Sequence, residues 1–228
     1  MLKHEHFGGQ FITLPDAFKI KLSNLKAIVA DWDGVFNDGC KSATTGSGFS
    51  EPDSLGLNMF RFAYWLENHT VLPIAIITGE LNESARMLAT REKFDALYFG
   101  TKDKQTALQH FCNAHQLHTA NTAVFFDDVI DVSMLKDAGL RFLVNRPGPK
   151  AFEEYIVKNH LADYVTSTFG GQNAVREIAE LLLVMNGSFE RVIDERTRYS
   201  DAFKTYMDAR NQIKPIIYKW DDGHFTEQ

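Results

Sequence analysis

Short apolar runs recur along the chain, each bounded by polar or turn-forming residues. They are Leu25-Lys26-Ala27-Ile28-Val29-Ala30, Ile74-Ala75-Ile76-Ile77 after Pro73, Thr122-Ala123-Val124-Phe125-Phe126 and Leu140-Arg141-Phe142-Leu143-Val144. Their length and content predict buried strands. Between them, Met59, Phe62, Ala63 and Leu66 share one helical face, as do Leu108, Phe111, Cys112 and His115. Strands alternating with amphipathic helices predict βαβ units and an α/β fold with a central parallel sheet. Sheets of this kind bind ligands beyond the carboxyl ends of their strands. Polar residues placed there carry the functional reading.

Three such clusters follow apolar runs: Asp31 and Asp33 after the first, Thr78-Gly79-Glu80 after the second, Asp127-Asp128 after the third. A lone Asp after a strand is usually a cap or turn residue. Three clusters, each at a strand end, are harder to explain that way.

The pattern also divides the chain. Residues 1–22 read as a loosely attached leader, and 23–187 as the α/β domain. Residues 40–50, rich in Gly, Ser and Thr, read as a hairpin or loop inserted after the first strand. Residues 188–228 read as a helical extension, with Phe189, Val192, Ile193, Arg196, Tyr199, Phe203, Tyr206 and Met207 along one side. That side packs on its own domain or on another subunit. Asp221-Asp222 reads as a solvated acidic tail.

Composition narrows the function. With 44% hydrophobic and 24% charged residues, the 228-residue chain has the make-up of a soluble globular protein. No apolar run nears the length of a membrane span. The formal net charge of −6 argues against a nucleic-acid partner but not against a small phosphorylated substrate. Two cysteines supply no disulfide framework, which places the expectation in the reducing cytoplasm.

Asp31 and Asp33 suit phosphoryl transfer through an aspartyl-phosphate. A carboxylate attacks a phosphate only when a divalent cation offsets the repulsion between the two anions. Asp33 is placed to protonate the leaving alkoxide and then to deprotonate water. Gly34 permits a sharp turn whose N–H groups cradle phosphate oxygens. Asp127 or Asp128 completes an oxygen-rich Mg²⁺ site, while Thr78 and Lys104 offer a hydroxyl and a positive charge to the phosphate.

These segments resemble the haloacid dehalogenase phosphatases: Asp31-Trp32-Asp33-Gly34-Val35 the first motif, Thr78-Gly79 the second, Lys104 the third, Asp127-Asp128 the fourth. Within that superfamily they look most like the small phosphatases of 3-deoxy-octulosonate 8-phosphate and of 9-phosphorylated nonulosonic acids. Residues 31–39, 53–57, 76–80, 98–104, 127–131 and 170–177 carry the match, in the family's order. The resemblance implies a Rossmann-like fold with a small hairpin in place of a cap domain, and a homotetramer whose neighbours help enclose each site. It implies Asp31 as nucleophile, Asp33 as general acid/base, and Mg²⁺ held by Asp31, the Asp33 carbonyl and Asp127, with Asp128 in support. Thr78, Gly79, Gly34 and Lys104 would bind phosphate, and Glu80 and Arg91 would tune specificity. The chain departs from the family pattern at Trp32, Pro52, Phe126 and Asn173, none of which removes a chemical group. Two other readings are a phosphatase of a different small metabolite and a non-catalytic scaffold with the same fold.

Overall fold

The computed structural model describes residues 4–41 and 47–228. Among them nine strands form one sheet, in the order β1-β7-β6-β5-β2-β3-β4-β8-β9. The central parallel strands are β2 (Ala27–Ala30), β3 (Ile74–Thr78), β4 (Ala96–Phe99), β5 (Thr122–Phe126), β6 (Leu140–Asn145) and β7 (Tyr164–Phe169). The chain leaves β2 toward β3 and β4, then crosses back to β5 on its other side. β2 and β5 therefore flank the switch point where such sheets open a crevice.

Helices cover both faces, because side chains alternate along each strand. Ile28 and Ala30 face one core, together with residues of α1 (Pro15–Ser23), α2 (Glu51–Asn68), α3 (Glu83–Glu92) and α7 (Ala174–Met185). Ala27 and Val29 face the other, with α4 (Lys104–Ala114), α5 (Val132–Leu135) and α6 (Ala151–Lys158). Cys112 packs there as a small apolar side chain. Phe126, where the family carries Gly, fills the same core. Pro52 occupies the first turn of α2, where a missing N–H costs nothing. Asn173 has φ +71, a left-handed conformation that Asn tolerates in place of Gly.

Of the strands beyond the four expected ones, β4 is apolar but only four residues long, and the others lie in segments of mixed polarity. β7, Tyr164-Val165-Thr166-Ser167-Thr168-Phe169, is partly polar because its outer end is half solvated. The first segment is not a loose leader: β1 (Gln10–Phe11) pairs antiparallel with β7, and Phe18 of α1 is fully buried. Thr13 and Lys21 also bind Asp163 at the start of β7, at 2.5 and 2.6 Å. Of the expected hairpin over 40–50, residues 42–46 lie outside those described, and the described flanks 40–41 and 47–50 form no strand.

The last segment also differs from a single helical face. Tyr199, at φ +51, separates α8 (Phe189–Thr197) from α9 (Asp201–Asn211), and Ser200 caps the second helix. Then β8 (Ile216–Asp221) runs parallel to β4 and returns through β9 (His224–Glu227). The supposed acidic tail is the hairpin turn, with Asp222 and Gly223 both at positive φ.

Candidate active site

The crevice floor is built by two neighbouring strands. Asp31 follows β2 directly, and its N–H continues the ladder to the Phe125 carbonyl at 3.0 Å. Asp127 follows β5, and the pairing of Ala30 with Phe125 brings the two acids side by side. A third carboxylate comes from the short turn after β5. Asp131 accepts from the N–H groups of Asp127 and Asp128 at 3.3 and 3.2 Å, which fixes it beneath them. Asp31, Asp127 and Asp131 each offer an oxygen within 4.8 Å of the others.

One buried cation enters this cluster. Lys104, at the start of α4, is 1% exposed and places Nζ 2.7 Å from Asp31 Oδ1 and 2.6 Å from Asp131 Oδ1. Burial alone would lower its pKa, but the two carboxylates outweigh that and raise it. The acids still exceed the cation. Asp31 is pushed up to about 7, chiefly by burial and then by Asp131, against the pull of Lys104. Asp127 is pushed up to about 8 by burial, then by Asp31, Asp131 and Asp128. Three buried carboxylates around one ammonium leave negative charge uncompensated. Oxygen-only donors at this spacing suit a hard divalent cation such as Mg²⁺.

The turn after Asp31 wraps over the cluster. Gly34 has φ +83, and a Cβ there would lie 2.0 Å from Asp127 Oδ2. Asn37 braces the turn, donating to the Trp32 carbonyl at 3.1 Å and accepting from the Gly39 N–H at 2.9 Å. Asp33 stands at the mouth, its carboxylate accepting from Ser47 Oγ at 2.6 Å and lying 3.3 Å from Lys41 Nζ.

Asp31, Asp33, Gly34, Thr78 and Gly79 line one cavity of about 400 Å³, together with Asp127 and Asp128. Lys104 lies under its floor rather than in its wall. Asp128, expected to support the metal, turns outward: one oxygen accepts from the Val129 N–H at 2.6 Å and the other from Arg146 at 2.8 Å. Arg146 outweighs burial there and holds the Asp128 carboxyl below its usual range. Asp131 takes the inner place instead, because the turn's amides draw its side chain under the strand ends. Glu80 is largely exposed and meets Lys41 at 3.4 Å. Arg91 lies outside the cavity wall, bound to Glu51, Ser54 and Glu92 at 2.9, 2.5 and 3.1 Å. Arg146, Lys41 and Asp131 were not singled out by residue type and spacing. For Asp131 the signal was present, four residues after Asp127 within one turn; for Arg146 there was none.

No protein-family model matches the chain. The 3-deoxy-D-manno-octulosonate 8-phosphate phosphatase KdsC of Escherichia coli K12 is 28% identical over 174 residues, 75% of this chain and 85% of that one. Its namesake from Haemophilus influenzae is 27% identical over 171 residues, 73% of this chain and 87% of that one. Among solved structures, the Moraxella catarrhalis octulosonate 8-phosphate phosphatase, in complex with magnesium, phosphate and a KDO molecule, superposes with a TM-score of 0.67. It is 25% identical and covers 79% of this chain and 98% of its own. A HAD superfamily (subfamily III A) hydrolase structure from Legionella pneumophila gives 0.66 at 26% identity, over 80% of this chain and 95% of its own. Likeness in sequence and likeness in fold meet on the same chain. On both grounds it is similar to the phosphatases of the haloacid dehalogenase superfamily, the octulosonate 8-phosphate phosphatases among them.

Proposed function

We propose that the chain hydrolyses the phosphate ester of a small 2-keto-3-deoxy sugar acid, of the octulosonate 8-phosphate class, through an aspartyl-phosphate on Asp31. The observation that carries this reading is the convergence of Asp31, Asp127 and Asp131 at the carboxyl ends of adjacent strands, with Lys104 bound to Asp31 and Asp131. The names of the relatives support the substrate class.

Oδ1 of Asp31 is engaged by the Trp32 N–H at 2.6 Å and by Lys104, so Oδ2 is the oxygen left to attack phosphorus. As the new O–P bond forms, the ester O–P bond breaks and Asp33 gives its proton to the leaving alkoxide. Asp33 then takes a proton from water, whose oxygen attacks the same phosphorus and frees Asp31 and inorganic phosphate. Lys104 pulls Asp31 toward its ionised form, and the Thr78 hydroxyl and the turn at Gly34 orient the phosphoryl oxygens. Mg²⁺ held by Asp31, the Asp33 carbonyl and Asp127 would neutralise the repulsion between acid cluster and phosphate.

The same reading extends to a homo-oligomer in a reducing cytoplasm. Both cysteines are free, and no helix of the described residues is long and apolar enough to cross a membrane. Light scattering tests the assembly.

The activity test is phosphate release with Mg²⁺ from octulosonate 8-phosphate, nonulosonate 9-phosphates and hexose phosphates, beside Asp31→Asn. Selective release from one sugar acid, lost in the variant, is expected. Release that persists in the variant would remove Asp31 as nucleophile, and release from none would remove the substrate class.

A further inference from the structure

The cavity is larger than a phosphate needs, and its rim is acidic. Asp33, Asp38 and Asp128 line it, and Glu80 stands just outside. Such a rim repels a substrate bearing a second negative charge unless a cation with unused donors meets that charge. Among the described residues two cations line the cavity, Lys41 and Arg146. Lys41 is shared between two carboxylates, 3.3 Å from Asp33 and 3.4 Å from Glu80.

Arg146 is differently placed. It follows β6, next to β5, so its backbone stands two strand spacings, about 10 Å, from that of Asp31. Thr78 and Lys104 approach Asp31 from β3 and α4. The guanidinium uses Nη1 on Asp128, at 2.8 Å, with Asp127 at 3.9 Å. Nε and Nη2 have no partner among the described residues. The ring of Phe152 lies 5.7 Å below the guanidinium carbon, which helps fix the plane of the fork. A fixed guanidinium with two free donors on a cavity wall is the geometry that accepts a carboxylate.

We propose that Arg146 determines specificity by binding a carboxylate on the leaving group of the phosphate ester. This rests on the reading of the chain as a sugar-acid phosphatase and names the residue that recognises the acid. The phosphoryl group is the other anion within reach. Strand order assigns it to Thr78, at the end of β3 beside β2, and to the turn at Gly34.

The test measures kcat/KM for octulosonate 8-phosphate and for p-nitrophenyl phosphate, whose leaving group carries no carboxylate, with Mg²⁺. Wild type, Arg146→Ala and Arg146→Lys are compared. The ratio of the two values is expected to fall at least about 10-fold in Arg146→Ala, through KM for the sugar acid, and to recover in part in Arg146→Lys. Equal losses on both substrates would overturn the proposal, since a phosphoryl clamp or a prop for Asp128 acts on every ester. A wild type that hydrolyses p-nitrophenyl phosphate but shows no preference for the acid would overturn it too, with the phosphatase reading intact. Hydrolysis of neither ester by the wild type would remove both.

Discussion

Asp31 is fixed by a ladder bond, a lysine and its neighbour's amide, so changing its charge disturbs chemistry more than packing. Asp31→Asn is expected to cut turnover by about 10³-fold or more while circular dichroism and melting stay near wild type. Gly34→Ala should behave in the opposite manner. Its φ of +83 costs a side chain about 1–2 kcal/mol, and the new Cβ would meet the Asp127 carboxylate. Lower stability and a weakened response to Mg²⁺ are expected together, read by thermal melts with and without the metal. Most of the acids were legible from sequence, because a carboxylate just past an apolar run falls at a strand end whatever the packing. What spacing does not encode is which way each side chain turns. Asp131 takes the inner place expected of Asp128 because backbone amides capture its side chain. Arg146 became visible only once β6 was seen beside β5.

At the level of elements, four of the six central strands were readable, while β4, β7 and the margins were not. Central strands are covered on both faces and write themselves as apolar runs. β1 and β9 are the edges of the sheet and β8 is one strand in, where alternation is short and polar residues are tolerated. The Asp-Gly pair at 222–223 was the available signal for the last hairpin. β1 and β7 are joined through Asp163, fully buried and bound by Arg141, Lys21 and Thr13, which hold its carboxyl below its usual range. A depressed folded pKa stabilises above the unfolded value, near pH 4, and the contribution is lost as pH falls through the folded value. Asp163→Asn should therefore cost about 3 kcal/mol at neutral pH, and the gap to wild type should close in acid. Urea melts from pH 7 down to pH 2 check this. At the other margin, Tyr206 of α9 is fully buried against Phe62 of α2, its hydroxyl donating to the Asn58 carbonyl at 3.3 Å. Tyr206→Ala is expected to cost about 3–5 kcal/mol by denaturant melts, a value that a loosely attached extension would not give.

Taken whole, the molecule concentrates uncompensated negative charge at one point of an otherwise well-paired interior. A ligand that binds only the folded state adds stability by mass action, about 2.7 kcal/mol at a hundred times its dissociation constant. For a chain of this size that is a rise of roughly 5–10 °C in the melting temperature with Mg²⁺. Asp127→Asn should abolish the rise, and chelator should abolish phosphate release. The charged cluster also depends on a contact made from far along the chain. Gly170, in the loop after β7, presses so closely that a Cβ there would lie 2.1 Å from the Gly34 carbonyl and 2.4 Å from that of Asn37. The loop that follows Asp31 is thus moulded by a second loop more than a hundred residues away. For protein engineering this means that the turn after β2 is not a transplantable cassette. A graft of residues 31–39 into another parallel sheet would carry the acids and leave behind the surface that sets their pitch.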